Sequence, residues 1–245
     1  CQGILDDLKT PYIDELAKGG VRMTNGYSTA PQCCPSRAGL MTGRYQTRFD
    51  FEGNGDCPLP LEETTIATYL SKEGYATFHT GNWHLDANRQ SSKFALRNSG
   101  IDTSKMTKSE FADAARKLTE AETSKIIRKF NKSYTPTERG FQVSIKSDKQ
   151  KAYHLDVNNE EAVNFIDQNH QKPFFLYIAH RAPHVPLDPT EKYLKRFPGD
   201  MPERRRKALA MISCMDDGVG MLLKTLRKHK IEEKTIIFFM SDNGA

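Results

Sequence analysis

Short apolar runs that alternate with amphipathic stretches limit the folds open to this chain. Residues 173–179 form a continuous apolar run, as a strand of a buried parallel sheet requires, and residues 235–240 form another. Residues 203–229 carry apolar side chains at steps of three and four, which predicts a long amphipathic helix. Helices that alternate with apolar strands are typical of α/β proteins. We therefore predict a mostly parallel central sheet with helices on both faces.

Weaker patterns predict the remaining elements. A short helix is expected from Pro11 to the glycine pair at 19–20, because proline suits the first turn and glycine ends a helix. Further predicted elements are helices at 64–73, 108–130 and 158–168 and strands at 21–29 and 75–78. We interpret the polar stretch at about 86–135 as an insertion in one α/β domain over residues 1–245.

Composition excludes some classes of function. Only 37% of the residues are hydrophobic, and no apolar run approaches the length of a membrane span, so none is expected. The net charge of +5 is compatible with anionic substrates but does not indicate nucleic acid as a partner. Apart from the adjacent Cys33 and Cys34, the cysteines Cys1, Cys57 and Cys214 are scattered without a Cys-x-x-Cys pair, so neither a zinc site nor a disulfide framework is indicated.

The two ends of the chain suggest a fragment. The sequence starts at Cys1 without an initiator methionine, and it stops directly after the apolar run 235–240. We therefore expect a first strand and a C-terminal part to be missing, and we draw no conclusion about a signal peptide.

Residues 33–44 hold the strongest chemical signal. Cys33 lies at the predicted opening of a helix, two residues before Pro35 and four before Arg37. Unpaired N–H groups at a helix start favour an anion, so the segment is typical of a nucleophile site for an anionic substrate. The alternative is that Cys33 and Cys34 are ordinary buried cysteines, since cysteine behaves as a small hydrophobe.

Residues 33–43 match the pattern Cys-x-Pro-Ser-Arg-x-x-x-x-Thr-Gly, and three further segments follow in order. These are Gly-x-Trp-His at 81–84, Pro-His-x-Pro at 183–186 and Ser-Asp-Asn-Gly at 241–244. By these motifs the chain resembles the formylglycine-dependent sulfatases of the alkaline-phosphatase-like superfamily. The resemblance implies that a maturation enzyme oxidises Cys33, and not Cys34, to formylglycine.

The resemblance also implies roles for individual residues. The residues it assigns to catalysis are Cys33, Arg37, His84 and His184. His84 is expected to hydrogen-bond the hydrated formylglycine, and His184 is expected to support proton transfer at the leaving oxygen. Asn82 and His180 are expected to bind substrate. If His84 or His184 is considered alone, a structural histidine is as good an interpretation as a catalytic one.

Asp242 and Asn243 are the expected metal ligands. Their hard oxygen atoms suit Ca²⁺, with Mg²⁺ as the alternative, although an Asp-Asn-Gly turn without metal is equally open from these residues. The family also uses two acidic residues after its first strand. We interpret the pair Asp6 and Asp7 as a surface turn, because no apolar strand precedes it, and expect the fragment to hold a metal poorly.

Two positions depart from the family pattern. Asn82 replaces the lysine that contacts sulfate in the family, and an amide brings no charge, so sulfate binding must depend more on Arg37 and the metal. Asp86 stands where glycine is common, and it adds a negative charge close to the predicted site.

The predicted function is hydrolysis of an organic sulfate ester, with a sulfated carbohydrate as the favoured substrate and a small aryl sulfate as the alternative. One alternative is a phosphoester or phosphonate hydrolase of the same superfamily, and another is a non-catalytic protein that binds sulfated glycans. The expected partners are the substrate and a formylglycine-generating maturation enzyme. Family resemblance also implies a periplasmic or secreted location.

Overall fold

A computed structural model of the chain describes residues 6–146 and 155–244, so Cys1 lies outside the described residues. The helices and strands are, in chain order, α1 (Pro11–Gly19), α2 (Cys33–Thr42), α3 (Ile66–Lys72), β1 (Ala76–Gly81), α4 (Ser92–Arg97), α5 (Lys108–Lys117), α6 (Glu120–Ile127), β2 (Val143–Lys146), α7 (Leu155–Asn169), β3 (Phe174–Ala179), α8 (Glu191–Leu194) and α9 (Glu203–Lys228). Within this described part, no helix combines the length and apolarity needed to cross a membrane.

The chain divides into two compact units. The first unit contains the described parts of Cys1–Gly26, Phe78–Asn82 and Val143–Phe239. The second contains the described parts of Tyr27–Thr77, Trp83–Gln142 and Met240–Ala245.

The first unit contains a sheet with the strand order β2-β1-β3. Strands β1 and β2 run parallel, with Phe78 opposite Val143 and Thr80 opposite Ile145. The parallel sheet predicted from the alternating pattern is therefore confirmed. Strand β1 extends three residues beyond the predicted end at 78, so that Asn82, rather than His79, is the first residue after the strand.

Helices α7 and α9 form the core of the first unit together with the sheet. The ring of Phe165 on α7 stacks on Phe78 of β1 with 4.8 Å between ring centroids. Nearby, the Thr80 hydroxyl donates to Asn158 Oδ1 at 2.8 Å. Helix α9 also holds α1, because Asp216 accepts the N–H of Ile13 at 2.8 Å. The amphipathic helix predicted at 203–229 is thus confirmed as the element that packs against both α7 and α1.

The second unit is built from helices α2 to α6. One continuous helix was expected at 108–130, but the structure has two, α5 and α6. Thr119 causes the break, because its side chain caps a new helix by accepting the N–H of Glu122 at 3.2 Å. Glu122 closes the capping box by accepting the Thr119 N–H at 2.8 Å.

The strands predicted at 21–29 and 235–240 are wrong. Neither segment forms a strand, and Val21, Ile236 and Phe238 are each more than four-fifths exposed. A strand needs a neighbour for its backbone N–H and C=O groups, and no strand of the described residues pairs with either segment. Strand β3 is also less buried than its apolar run suggested, since only Ala179 is fully buried.

Candidate active site

Helix α2 begins at Cys33, as the sequence predicted, and it is held there by a neighbouring loop. The residue before it, Gln32, has an extended backbone and makes no side-chain cap. Instead the Cys34 N–H donates to Asn54 Oδ1 at 3.2 Å, and the Asn54 N–H donates to Gln32 Oε1 at 3.1 Å. These two bonds fix the start of α2, and with it the position of Cys33, because they satisfy a backbone N–H of the first turn.

The last two residues of the Cys33 motif end the same helix. Gly43 lies in the left-handed region with φ 65°, which residues with a Cβ rarely adopt, and its N–H donates to Gly39 O at 2.9 Å. The Thr42 hydroxyl donates to Ala38 O at 2.7 Å. The motif therefore encodes both ends of one short helix.

Arg37 is buried and forms an ion pair with Asp242. Its Nε and Nη2 atoms lie 2.8 and 2.7 Å from Asp242 Oδ2. The Ser36 hydroxyl donates to the backbone oxygen of Asp242. Consecutive residues of α2 thus hold the predicted metal-binding segment against the helix that carries Cys33.

His84 is positioned by the buried residues on either side of it. The Trp83 indole N–H donates to Tyr134 O at 3.1 Å, and the Leu59 N–H donates to Leu85 O at 3.0 Å. Trp83 and Leu85 are almost fully buried. His84 itself has φ 55°, an uncommon conformation for a residue other than glycine, so its anchored neighbours must hold this backbone turn.

The thiols of Cys33 and Cys34 are the neighbours that set the pKa of the His84 imidazole, through hydrogen bonding and charge. Burial disfavours the charged imidazole, but these hydrogen bonds and the thiol charges outweigh burial and raise the pKa of His84 to about 10. A cationic hydrogen-bond donor therefore stands beside the predicted nucleophile. Nδ1 of His84 is buried and has no hydrogen-bond partner among the described residues, which is rare for a buried polar atom.

Cys34 and Cys57 form a pair of buried thiols beside His84. Their Sγ atoms lie 3.0 and 3.4 Å from the same acceptor, the backbone oxygen of His84. A hydrogen bond from Cys57, reinforced by His84, lowers the pKa of Cys34 to about 6. Burial raises the pKa of Cys57 well above its ordinary value.

Three further predicted residues lie in the first unit, where β1 and β3 end. The Asn82 N–H donates to Ala179 O at 2.8 Å, which places Asn82 beside the end of β3. A side chain on Gly81 would lie 2.2 Å from that same Ala179 oxygen, so only glycine allows this approach. His180 therefore follows one strand and Asn82 follows its neighbour, as expected for the carboxyl edge of a parallel sheet.

The two histidines of this edge differ in environment. His180 Nδ1 is buried without a partner among residues 6–146 and 155–244, and burial lowers the pKa of His180 to about 4. His184 is exposed, and its Nδ1 lies 2.6 Å from Val185 O. A carbonyl can only accept, so Nδ1 carries a proton and donates it.

Comparison with known proteins decides the family. The model of the Sulfatase family matches residues 5–245. The chain belongs to the sulfatase family. It is 30% identical over 261 residues to the uncharacterized sulfatase YdeN of Escherichia coli (strain K12), an alignment that covers 96% of this chain and 43% of that protein.

Other sulfatases are similarly related. The ulvan-active sulfatase of Formosa agariphila is 29% identical over 257 residues, which cover 97% of this chain and 46% of that protein. The solved structure of Ps i-CgsB in complex with k-i-k-neocarrahexaose matches with a TM-score of 0.66 and 25% identity, over 92% of this chain and 51% of that one. The chain thus has the sulfatase fold and spans about half the length of these relatives.

The described residues do not form a complete metal site. Asp242 and Asn243 offer hard oxygen atoms, but one carboxylate oxygen of Asp242 is already paired with Arg37. No group of three or more histidine, cysteine or acidic residues in the described part is arranged to hold a metal ion. Ca²⁺ takes six to eight oxygen ligands, so the pair is too few on its own.

Five of the predicted site residues lie in the second unit of this sulfatase family member: Cys33, Arg37, His84, Asp242 and Asn243. The other three, Asn82, His180 and His184, lie in the first. Sequence reasoning missed Asn54 and Cys57. Neither belongs to a motif, and each reaches α2 only through the folded loop around residues 53–57, so no spacing in the sequence indicated them.

Proposed function

We propose that the full-length protein is a sulfuric ester hydrolase, and that this chain is part of its single catalytic α/β domain. The observation that carries the proposal is the position of Cys33, the first residue of α2, next to His84, whose pKa the Cys33 thiol helps to raise, in a chain of the sulfatase family. On this proposal residues 86–135 remain the predicted insertion.

Formylglycine derived from Cys33 would supply, once hydrated, the oxygen nucleophile that takes the sulfuryl group and then releases it as sulfate. The chain's own residues prepare this chemistry. The His84 imidazolium donates a hydrogen bond to the group at position 33. Arg37 supplies fixed positive charge at the same helix start, where charge on a sulfuryl oxygen is stabilised. His184 would supply the proton to the leaving alcohol from Nε2.

We propose Asp242 and Asn243 as part of the ligand set of a divalent cation, Ca²⁺ in the first place and Mg²⁺ as the alternative. Sulfatases generally use such an ion, and the oxygen chemistry of these two residues suits it. The described residues alone supply too few ligands to hold the ion.

A sulfated carbohydrate is the proposed substrate class. The ulvan-active sulfatase and the neocarrahexaose complex are carbohydrate-linked relatives of this chain. Asn82 and His180 are the proposed contacts. Because His180 stays neutral with an unpartnered Nδ1, it can exchange hydrogen bonds with an uncharged sugar hydroxyl. The location implied by the family is periplasmic or secreted, and the expected partner is the maturation enzyme.

The test uses the full-length protein produced together with a formylglycine-generating enzyme. Intact mass reports conversion at position 33, and turnover is measured in parallel on sulfate and phosphate esters. We expect Cys33→Ala and Cys33→Ser to abolish multiple turnover of sulfate esters, because neither side chain can release bound sulfate as an aldehyde can.

The matched control is Cys214→Ser, which alters a buried thiol of the first unit and should retain turnover. Normal turnover by Cys33→Ser would contradict the proposal. Preference for phosphate esters would favour a phosphoester or phosphonate hydrolase, and binding without turnover by protein with an unconverted thiol would favour a glycan-binding protein.

A further inference from the structure

The Cys34 and Cys57 thiols form a cluster that the proposed reaction does not use. Both side chains are fully buried, and both Sγ atoms lie within 3.4 Å of one backbone oxygen, that of His84. In this structure the described cysteines are all reduced. Two thiols that share one acceptor are close neighbours, although they are separated by 22 residues in the sequence.

The backbones that carry the two thiols are already docked on each other. Asn54, three residues before Cys57, accepts the N–H of Cys34 at 3.2 Å and donates to Gln32 at 3.1 Å. A bond between the sulfur atoms would therefore join segments that are already packed together, as disulfide geometry requires.

We infer that Cys34 and Cys57 form a disulfide bond under oxidising conditions, which ties the first turn of α2 to the 53–57 loop and leaves Cys33 outside the pair. The inference depends only on the thiol cluster and not on conversion of Cys33.

Thiol–disulfide exchange with an external disulfide provides the oxidant for this bond. When the 53–57 loop opens and exposes the two thiols, the Cys34 thiolate attacks an external disulfide, forms a mixed disulfide and expels one thiolate, which takes up a proton. The Cys57 sulfur then loses its proton, attacks the Cys34 sulfur and expels the second external thiol. Two protein thiols are oxidised and one external disulfide is reduced to two thiols.

The test is a mapping of thiols in the full-length protein after equilibration with oxidised glutathione. Free thiols are alkylated in acid-quenched, unfolded protein, and the protein is digested with trypsin without reduction. We expect a cross-linked pair of peptides, residues 23–37 joined to 49–72, that separates on reduction, with the bond assigned to Cys34 by fragmentation.

The same measurement on Cys33→Ala should give the same cross-link, so that failure of the proposed function does not affect the result. Cys57→Ser should lose the cross-link, whereas the matched control Cys214→Ser should keep it. Complete alkylation of Cys34 and Cys57 in the wild-type protein would overturn the inference. A bond from Cys33 to either of these two residues would overturn it as well.

Discussion

His84 illustrates how one residue acquires its chemistry from its neighbours. Its left-handed backbone costs roughly 1–2 kcal/mol relative to an ordinary conformation. Burial of Trp83 and Leu85 offsets that cost, since each fully buried large side chain contributes about 1.5–3 kcal/mol. The turn they stabilise brings the imidazole to the thiols of Cys33 and Cys34, and the thiols keep it charged.

A titration of the reduced protein tests this arrangement. Because the pKa of Cys34 is lowered to about 6, we expect the ultraviolet absorbance of one thiolate to appear with a midpoint near that pH. Its contribution to stability should be present above the ordinary thiol pKa and be lost as the pH falls through about 6. Cys57→Ala should move the midpoint towards the ordinary value of about 8.5, since the main cause of the shift is removed.

Cys57→Ser is the matched control for that titration, because serine keeps a hydrogen-bond donor at position 57 and should keep the low midpoint. An unchanged midpoint in Cys57→Ala would show that Cys57 does not set the pKa of Cys34.

At the scale of elements, helix α2 is the part of the chain in which sequence and structure agree most closely. Cys33 starts it, Pro35 lies in its first turn and Gly43 follows its last residue. These are local features, since proline at a start and left-handed glycine at an end depend on the backbone alone. The strands behave differently, because a strand needs a partner elsewhere in the chain.

Two glycine substitutions test whether helix ends depend on the local backbone alone. They should change the free energy of unfolding in opposite directions. Gly43→Ala should lower the free energy of unfolding by about 1–2 kcal/mol, because alanine must adopt φ 65° there. Gly19→Ala should raise it by about 0.4–1 kcal/mol, because Gly19 is the last residue of α1 and has open space around it. Urea denaturation midpoints measure both. Stabilisation by Gly43→Ala would contradict the left-handed cap.

For the whole molecule, the important fact is that the chain spans about half the length of its sulfatase relatives. Asp242 lies near one end of the sequence, yet it is joined to α2 through Arg37 and Ser36. The proposed metal site therefore depends on residues far apart in sequence, and its occupancy should be visible as a change in the stability of the folded protein.

Calcium should stabilise the full-length protein. After treatment with EDTA, added Ca²⁺ should raise Tm, because an ion that binds only the folded state contributes about 2.7 kcal/mol at a hundredfold excess over Kd. Asp242→Asn should reduce this Ca²⁺-dependent shift. The matched control is Asp113→Asn, which alters an exposed ion pair with Arg116 and should retain the full shift. A full shift in Asp242→Asn would exclude Asp242 as a ligand.

Much of the fold and part of the site were predictable from sequence. The amphipathic pattern of α9 predicted its bounds to within one residue, and the Cys33 motif predicted the helix that presents it. The strand at 235–240 was not predictable in the same way, because an apolar run shows what a strand contains but not whether a neighbour pairs with it. The roles expected for His184, Asn82 and His180 stay predictions.

By itself the sequence determined the two ends of α2, the family and the identity of the candidate nucleophile, because these depend on residues within a few positions of each other. Only the tertiary structure decided that Asn54 holds the start of α2, that Asp242 pairs with Arg37 and that Cys57 meets Cys34. Those contacts join segments 20 to 205 residues apart in the chain, and a local sequence pattern does not indicate which distant segments come into contact.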